Sequence, residues 1–224
     1  MPDSGTIADR LLWLTVGLAI ATAGVVTLGG IVNHFAFDDG IPDLDAGREG
    51  SLNNWVPVVV SFSGALAAAL HAFFVAARRV AFGVLAALFA FLSLDDQVQL
   101  HERVAENLDG RLEALPRVIA DHFETVIFAP IFGLTLVVGW AIARGVPARL
   151  GRTLRVGLIL LVAAVVVDLG STITRDLARE GTAWPQATRI AFEEGLEVSG
   201  WILVSAALVT ILCLALLERD EPGR

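Results

Sequence analysis

The sequence has no lysine, no tyrosine, one cysteine and one methionine in 224 residues. Without lysine there is no Schiff base to retinal or pyridoxal phosphate, and no P-loop lysine. Cys213 alone makes no intramolecular disulfide and excludes a cysteine-based zinc or iron–sulfur site. Charge is scarce as well. Charged residues make up 18%, against about 25% in soluble domains. Hydrophobic residues make up 55%, with a mean hydropathy of +0.70. The charge present is acidic in balance, a net of −8, which is the wrong sign for a nucleic-acid partner. Glycine and proline, 21 and 8, are too few for a collagen-like or disordered chain. An ordinary water-soluble globule is excluded by the same numbers.

Long apolar runs take its place. Residues 11–37, 50–77, 125–143 and 198–217 carry no Asp, Glu or Arg, and two shorter runs cover 80–94 and 156–167. A spanning helix needs about 20 mostly apolar residues. The expected fold is therefore all-α: a polytopic membrane protein forming one transmembrane domain over 1–224. Its six segments are TM1 11–33, TM2 55–77, TM3 80–102, TM4 119–142, TM5 155–177 and TM6 189–217. TM1 is too long for a signal-peptide core and is preceded by more acid than arginine, so it reads as a retained anchor.

Arginine position gives the orientation. One set of connections holds Arg10, Arg78, Arg79, the group Arg144 to Arg155, Arg219 and Arg224. The other holds Arg48, Arg103, Arg111, Arg117, Arg175, Arg179 and Arg189, with most of the acids. The compact clusters in short loops set the first side as cytoplasmic. Both termini then lie in the cytoplasm, and the protein is expected in the plasma membrane. Small residues recur at packing intervals, Ala19, Ala23 and Thr27 in TM1 and Ser63, Ala67 and His71 in TM2, which lets membrane helices approach closely. The outward faces of TM1 and TM2 leave room for a homodimer. Trp13, Trp55, Trp140, Trp184 and Trp201 fall mostly near helix ends, as an aromatic belt does.

The chemistry concentrates at the outer ends of four helices. TM3 runs into Asp95, Asp96, Gln99, His101 and Glu102, with Asp95, Gln99 and Glu102 on one face. TM4 opens with Asp121, His122 and Glu124. TM5 carries Asp168, Thr172, Arg175 and Arg179 as a stripe. TM6 opens with Glu193, Glu194 and Glu197 at helical spacing. Ionisable groups within a bilayer cost about 2.5–3.5 kcal/mol each at the centre, so such a level of carboxylates needs protons, arginines or a cation. TM3 to TM6 are thus expected to form a bundle around an outward-facing polar site. His34 reads as an interfacial residue and His71 as a packed core histidine. Pro130 in mid-TM4 should bend the helix and widen the bundle beneath the cluster.

The leading expectation is a divalent metal, iron, manganese or zinc, since carboxylate and imidazole donors on facing helices suit these ions. Asp95, Asp96, His101, Glu102, His122, Glu193, Glu194 and Glu197 are the expected ligands. Asp168 and Glu124 are the expected acid–base residues. The metal would activate water or oxygen against a lipid-soluble substrate. No Glu-x-x-His of the soluble di-iron bundles is present, nor His-Glu-x-x-His, Gly-x-Ser-x-Gly or the desaturase histidine sets. Three alternatives remain: an arginine-paired network, a transporter or channel for protons or cations, and metal-free acid catalysis of the isoprenoid-cyclase kind with Asp168 as acid.

Overall fold

The computed structural model of the protein describes residues 4–38, 40–44, 51–98, 100, 103–104, 123–170 and 184–220. Over these the chain is all-helical. The helices are α1 (Ser4–Phe37), α2 (Leu52–Phe74), α3 (Arg79–Val98), α4 (Phe123–Ala143), α5 (Ala148–Leu169) and α6 (Trp184–Asp220), with one 3-10 turn at Pro42–Leu44. Five of the six, all but α4, are long and apolar enough to cross a membrane, and α4 has a shorter apolar stretch, Phe128–Ala143. The architecture is that of a helical membrane protein. In hydrocarbon every backbone N–H and C=O must be paired inside its own segment, and only a helix does that for a lone run of Leu, Val and Ala.

The arrangement centres on α6. It packs against α5, α1 and α2, while α3 packs on α2 and α4, and α4 on α5. Helices α2 to α6 therefore close into a ring, with α1 leaning on α6 from outside. Small residues set the close approaches. A Cβ on Gly157 of α5 would lie 2.9 Å from the Gly200 carbonyl of α6, and one on Gly200 would lie 3.0 Å from the Gly157 carbonyl. Gly64 of α2 makes room for Ser205 and Phe89, and Ser205 donates to the Val60 carbonyl at 2.7 Å. On α1, Ala19 is buried and Thr27 abuts Gly195 of α6. Of the TM2 row, Ala67 and His71 are buried and Ser63 is exposed. The His71 ring stacks on Phe82 with centroids 3.6 Å apart.

Arginines gather at one end of the ring. Arg79 donates to the Ala72 and Phe73 carbonyls at 2.8 and 3.2 Å, closing the last turn of α2. Arg78, in a left-handed turn with φ 58°, reaches the Ala141 and Ile142 carbonyls of α4 at 3.4 and 3.3 Å. Cations at helix C-termini are favoured by the orphan carbonyls and the helix dipole. Arg149 pairs with Asp9, joining the starts of α5 and α1. That pair is exposed, so its role is register rather than stability. The start of α1, the α2–α3 turn and the α4–α5 turn thus share one end. At the opposite end, Asn33 is fully buried and clamps the chain after α1. It accepts from the Ile41 N–H at 2.9 Å and donates to the Ile41 carbonyl at 3.0 Å.

Helix ends depart from the sequence reading most clearly in α5. The segment expected at 155–177 runs Ala148–Leu169 and stops at Gly170. Pro147 leads into the helix from an extended conformation, and Arg149, Arg152 and Arg155 ride on the first two turns. Asp168 consequently sits in the last turn rather than deep in the span. The α6 helix has 37 residues, about 55 Å at 1.5 Å each, well beyond the hydrocarbon thickness of about 30 Å.

Candidate functional site

Three helices bring acid to one level. Asp95 and Asp96 lie 16 and 17 residues along α3 from Arg79, Asp168 lies 20 residues along α5 from Ala148, and Glu197 lies 20 residues before Leu217 on α6. At 1.5 Å per residue these are heights of roughly 24 to 30 Å from the arginine end. That distance is close to the thickness of a hydrocarbon layer, about 30 Å.

The α6 contribution is a single stripe at fourfold spacing: Arg189, Glu193, Glu197 and Trp201. The Arg189 side chain, 10% exposed, pairs with Glu193 one turn on and reaches Asp168 of α5 with Nη1 at 3.4 Å from Oδ1. It therefore bolts the end of α5 to α6. Glu193 feels the charges of Asp168, Arg189 and Glu197, and Glu194 those of Glu197, Glu193, Asp96 and Arg189. The α3, α5 and α6 carboxylates thus form one electrostatic unit with Arg189 inside it. Trp201 is buried, donates its indole N–H to Glu197 Oε1 at 3.1 Å and meets Phe89 of α3 edge-on, with centroids 5.1 Å apart.

Beneath this level is a cavity of about 560 Å³ enclosed by α3, α4, α5 and α6, with Ser61 of α2 at its edge. Its upper part is lined by Asp95, Asp96, Asp168, Glu193 and Glu197. Its body is apolar: Phe128, Phe132 and Leu136 from α4, Leu161 and Val165 from α5, and Trp201 from α6. The α4 lining runs past Pro130. Proline has no N–H to give Val126 its helical bond, and Ala129 and Gly133 beside it present little bulk. A Cβ on Gly133 would meet nothing within 4 Å.

Of the residues singled out from sequence, Asp95, Asp96, Asp168, Glu193 and Glu197 line this one cavity. Glu194 lies beside them on α6 without lining it. Glu124 falls in the first turn of α4, where the backbone alone is described. His101, Glu102 and His122 lie outside the described residues, as do Asp121, Arg175 and Arg179. Among the described residues no three His, Cys, Asp or Glu side chains gather closely enough to hold a metal ion. His34 meets Phe35 edge-on at 5.0 Å and lines no part of the cavity. Sequence reasoning pointed to a widening at Pro130 but did not pick out the α4 residues that line it, Phe128, Ala129, Phe132, Gly133 and Leu136.

Fold and site together define a helical membrane protein with an apolar cavity rimmed by carboxylates. Over residues 11–212 the chain matches, and belongs to, the family described as a domain of unknown function, DUF8692. No curated protein and no solved structure matches it.

Proposed function

We propose that the protein spans the membrane six times and binds a lipid-soluble, amphiphilic molecule in the α3–α6 cavity. The carrying observation is the polarity of that cavity: acid at one end, hydrocarbon below. Its volume, about 560 Å³, falls within the roughly 300–1,000 Å³ of small-molecule sites. Ionised carboxylates only accept hydrogen bonds, so the rim suits a hydroxyl, an ammonium or a cation at the ligand's polar end. The apolar body suits an alkyl or isoprenoid chain. Trp201, Phe89, Leu158 and Val204 pack the core below, which favours a one-sided site over a transport path.

The test uses protein purified in mild detergent, extracted and analysed by mass spectrometry. Wild type is expected to retain an amphiphile at near-stoichiometric amount. Gly133→Phe, which projects bulk into open space, is expected to lose it and still fold, with the helical circular dichroism of wild type. Equal retention by both proteins contradicts the reading.

A divalent ion at the rim is the second reading, favoured by carboxylates from three helices lining one cavity. Asp95, Asp96, Glu193, Glu194 and Glu197 would supply donors, with His101, Glu102 and His122 of the same chain, and Asp168 and Glu124 would handle protons. Such an ion would supply Lewis acidity toward the bound molecule, making the protein an enzyme. Addition of manganese, zinc or ferrous ion should then raise the melting temperature of wild type but not of Asp96→Asn/Glu197→Gln, since only a ligand of the folded state stabilises it.

The orientation proposed is acid end outside and arginine end in the cytoplasm of the plasma membrane, with both termini inside. In a Cys213→Ser background, an impermeant thiol reagent applied to intact cells should label Asp43→Cys and spare Arg149→Cys. Labelling at 149 alone inverts the topology.

A further inference from the structure

The cavity is closed on most sides and open on one. Its lining residues on α3 and α6, the acidic rim included, are all buried or half-buried. The lining residues that face outward are Ala129 on α4 and Val162 and Val166 on α5, the two valines 38% and 61% exposed. Val162 and Val166 are one turn apart on the same face. They lie roughly 21 and 27 Å along α5 from Ala148 at 1.5 Å per residue, inside a hydrocarbon layer of about 30 Å. What surrounds them at that depth is acyl chain, not water.

The neighbouring contacts show why the gap sits there. Nearer the arginine end α4 and α5 are tightly apposed. A Cβ on Gly139 would lie 3.0 Å from Leu158 Cδ1, and one on Gly151 would strike the Ala143 carbonyl. On its other flank α4 is held to α3 by Phe128 stacked on Phe91, with centroids 5.9 Å apart. Between these anchors, beside Pro130, the small side chains of Ala129 and Gly133 leave α4 and α5 separated.

We infer that the α4–α5 crevice is a lateral portal through which the ligand enters from the bilayer. This rests on the reading of the cavity as an amphiphile site and narrows the ligand class. The portal runs up to the level of Asp168 and Glu193, where a membrane amphiphile already keeps its polar group. A molecule with one polar end at the interface and a hydrocarbon tail below slides in without dragging that end through hydrocarbon, where an unpaired polar group is strongly disfavoured. A lipid with two large polar ends does not fit this geometry.

The test uses proteoliposomes of Gly133→Cys in a Cys213→Ser background, which puts one thiol on the cavity wall. N-(1-pyrenyl)maleimide, which partitions into the bilayer, is the probe. A charged methanethiosulfonate in the aqueous phase is the comparison. The pyrenyl reagent is expected to label quickly, and Val166→Trp to slow it about tenfold, because close-packed bulk excludes what it displaces. Ile20→Trp, exposed on α1 and lining no part of the cavity, should leave the rate unchanged. Val162→Trp is the second portal variant, in case Val166→Trp does not fold. Unchanged labelling in the folded portal variants, or faster labelling by the aqueous reagent, overturns the portal. If the wild type nonetheless retains its bound amphiphile, the cavity reading survives that failure. Slowed labelling in a wild type that carries no amphiphile supports the portal and removes the binding reading instead.

Discussion

Arg189→Ala is expected to destabilise the protein by about 2–3 kcal/mol, more than loss of any other described charge. Breaking a fully buried pair costs about 3–5 kcal/mol because the partner is stranded. Here Glu193 and Asp168 are 21% and 36% exposed, so solvent screens part of that penalty. The effect is chemical and not merely steric. Arg189→Met/Glu193→Gln, which removes the charge on both sides of the i,i+4 pair, should recover much of the loss, although Asp168 remains. Arg189→Lys should fall between: it keeps the charge, but its shorter and more strongly hydrated ammonium replaces the Nη1 that contacts both carboxylates. Thermal unfolding in detergent, followed by circular dichroism, reads all three. Equal stability of Arg189→Ala and wild type would mean that the arginine does not tie α5 to α6.

The second large effect lies where α5 and α6 touch through backbone. Gly157→Val places its Cβ 2.9 Å from the Gly200 carbonyl and 3.0 Å from the Val204 nitrogen. Backbone atoms cannot rotate away, so the helices must separate. Overpacking costs about 1–3 kcal/mol and sometimes more, and this contact belongs to the helix pair that carries Asp168 and Arg189 at its far end. Folded protein is expected to fall severalfold on size-exclusion chromatography. The reciprocal Gly200→Val should behave alike. Gly17→Val and Gly24→Val on α1, where a Cβ meets nothing within 4 Å, should leave the yield near wild type. A tolerated Gly157→Val contradicts the close α5–α6 contact.

Hydropathy made the helices legible because hydrocarbon leaves the backbone no other way to pair itself. It put the starts of α2 and α3 within three residues of where the helices begin and began α1 seven residues late. It misjudged α5, since three arginines in the first two turns read as a loop, whereas long side chains can reach the interface from a helix already inside it. Moving that helix by seven residues moved Asp168 from mid-span to the last turn. The central place of α6 was not legible. Hydropathy ranks segments and says nothing about neighbours, and the clue lay in Gly195 and Gly200, which accept Thr27 of α1 and the backbone of α5. The acidic level was legible because carboxylates at helical spacing are rare at that depth. The cavity was hinted at only through Pro130, since a void is made by what Ala129 and Gly133 lack. Arg189 was one of three arginines able to neutralise the cluster, and only the packing of α5 on α6 sets it between Asp168 and Glu193.

The most direct test of the amphiphile site is a cryo-EM map of the wild-type protein in lipid nanodiscs. Elongated density between α4 and α5 is expected, its body against Phe132 and Leu161 and its polar end about 3 Å, a hydrogen-bond distance, from the carboxylates of Asp96, Glu193 or Glu197. A map in which α4 packs flush against α5, leaving no space between Gly133 and Trp201, would contradict it.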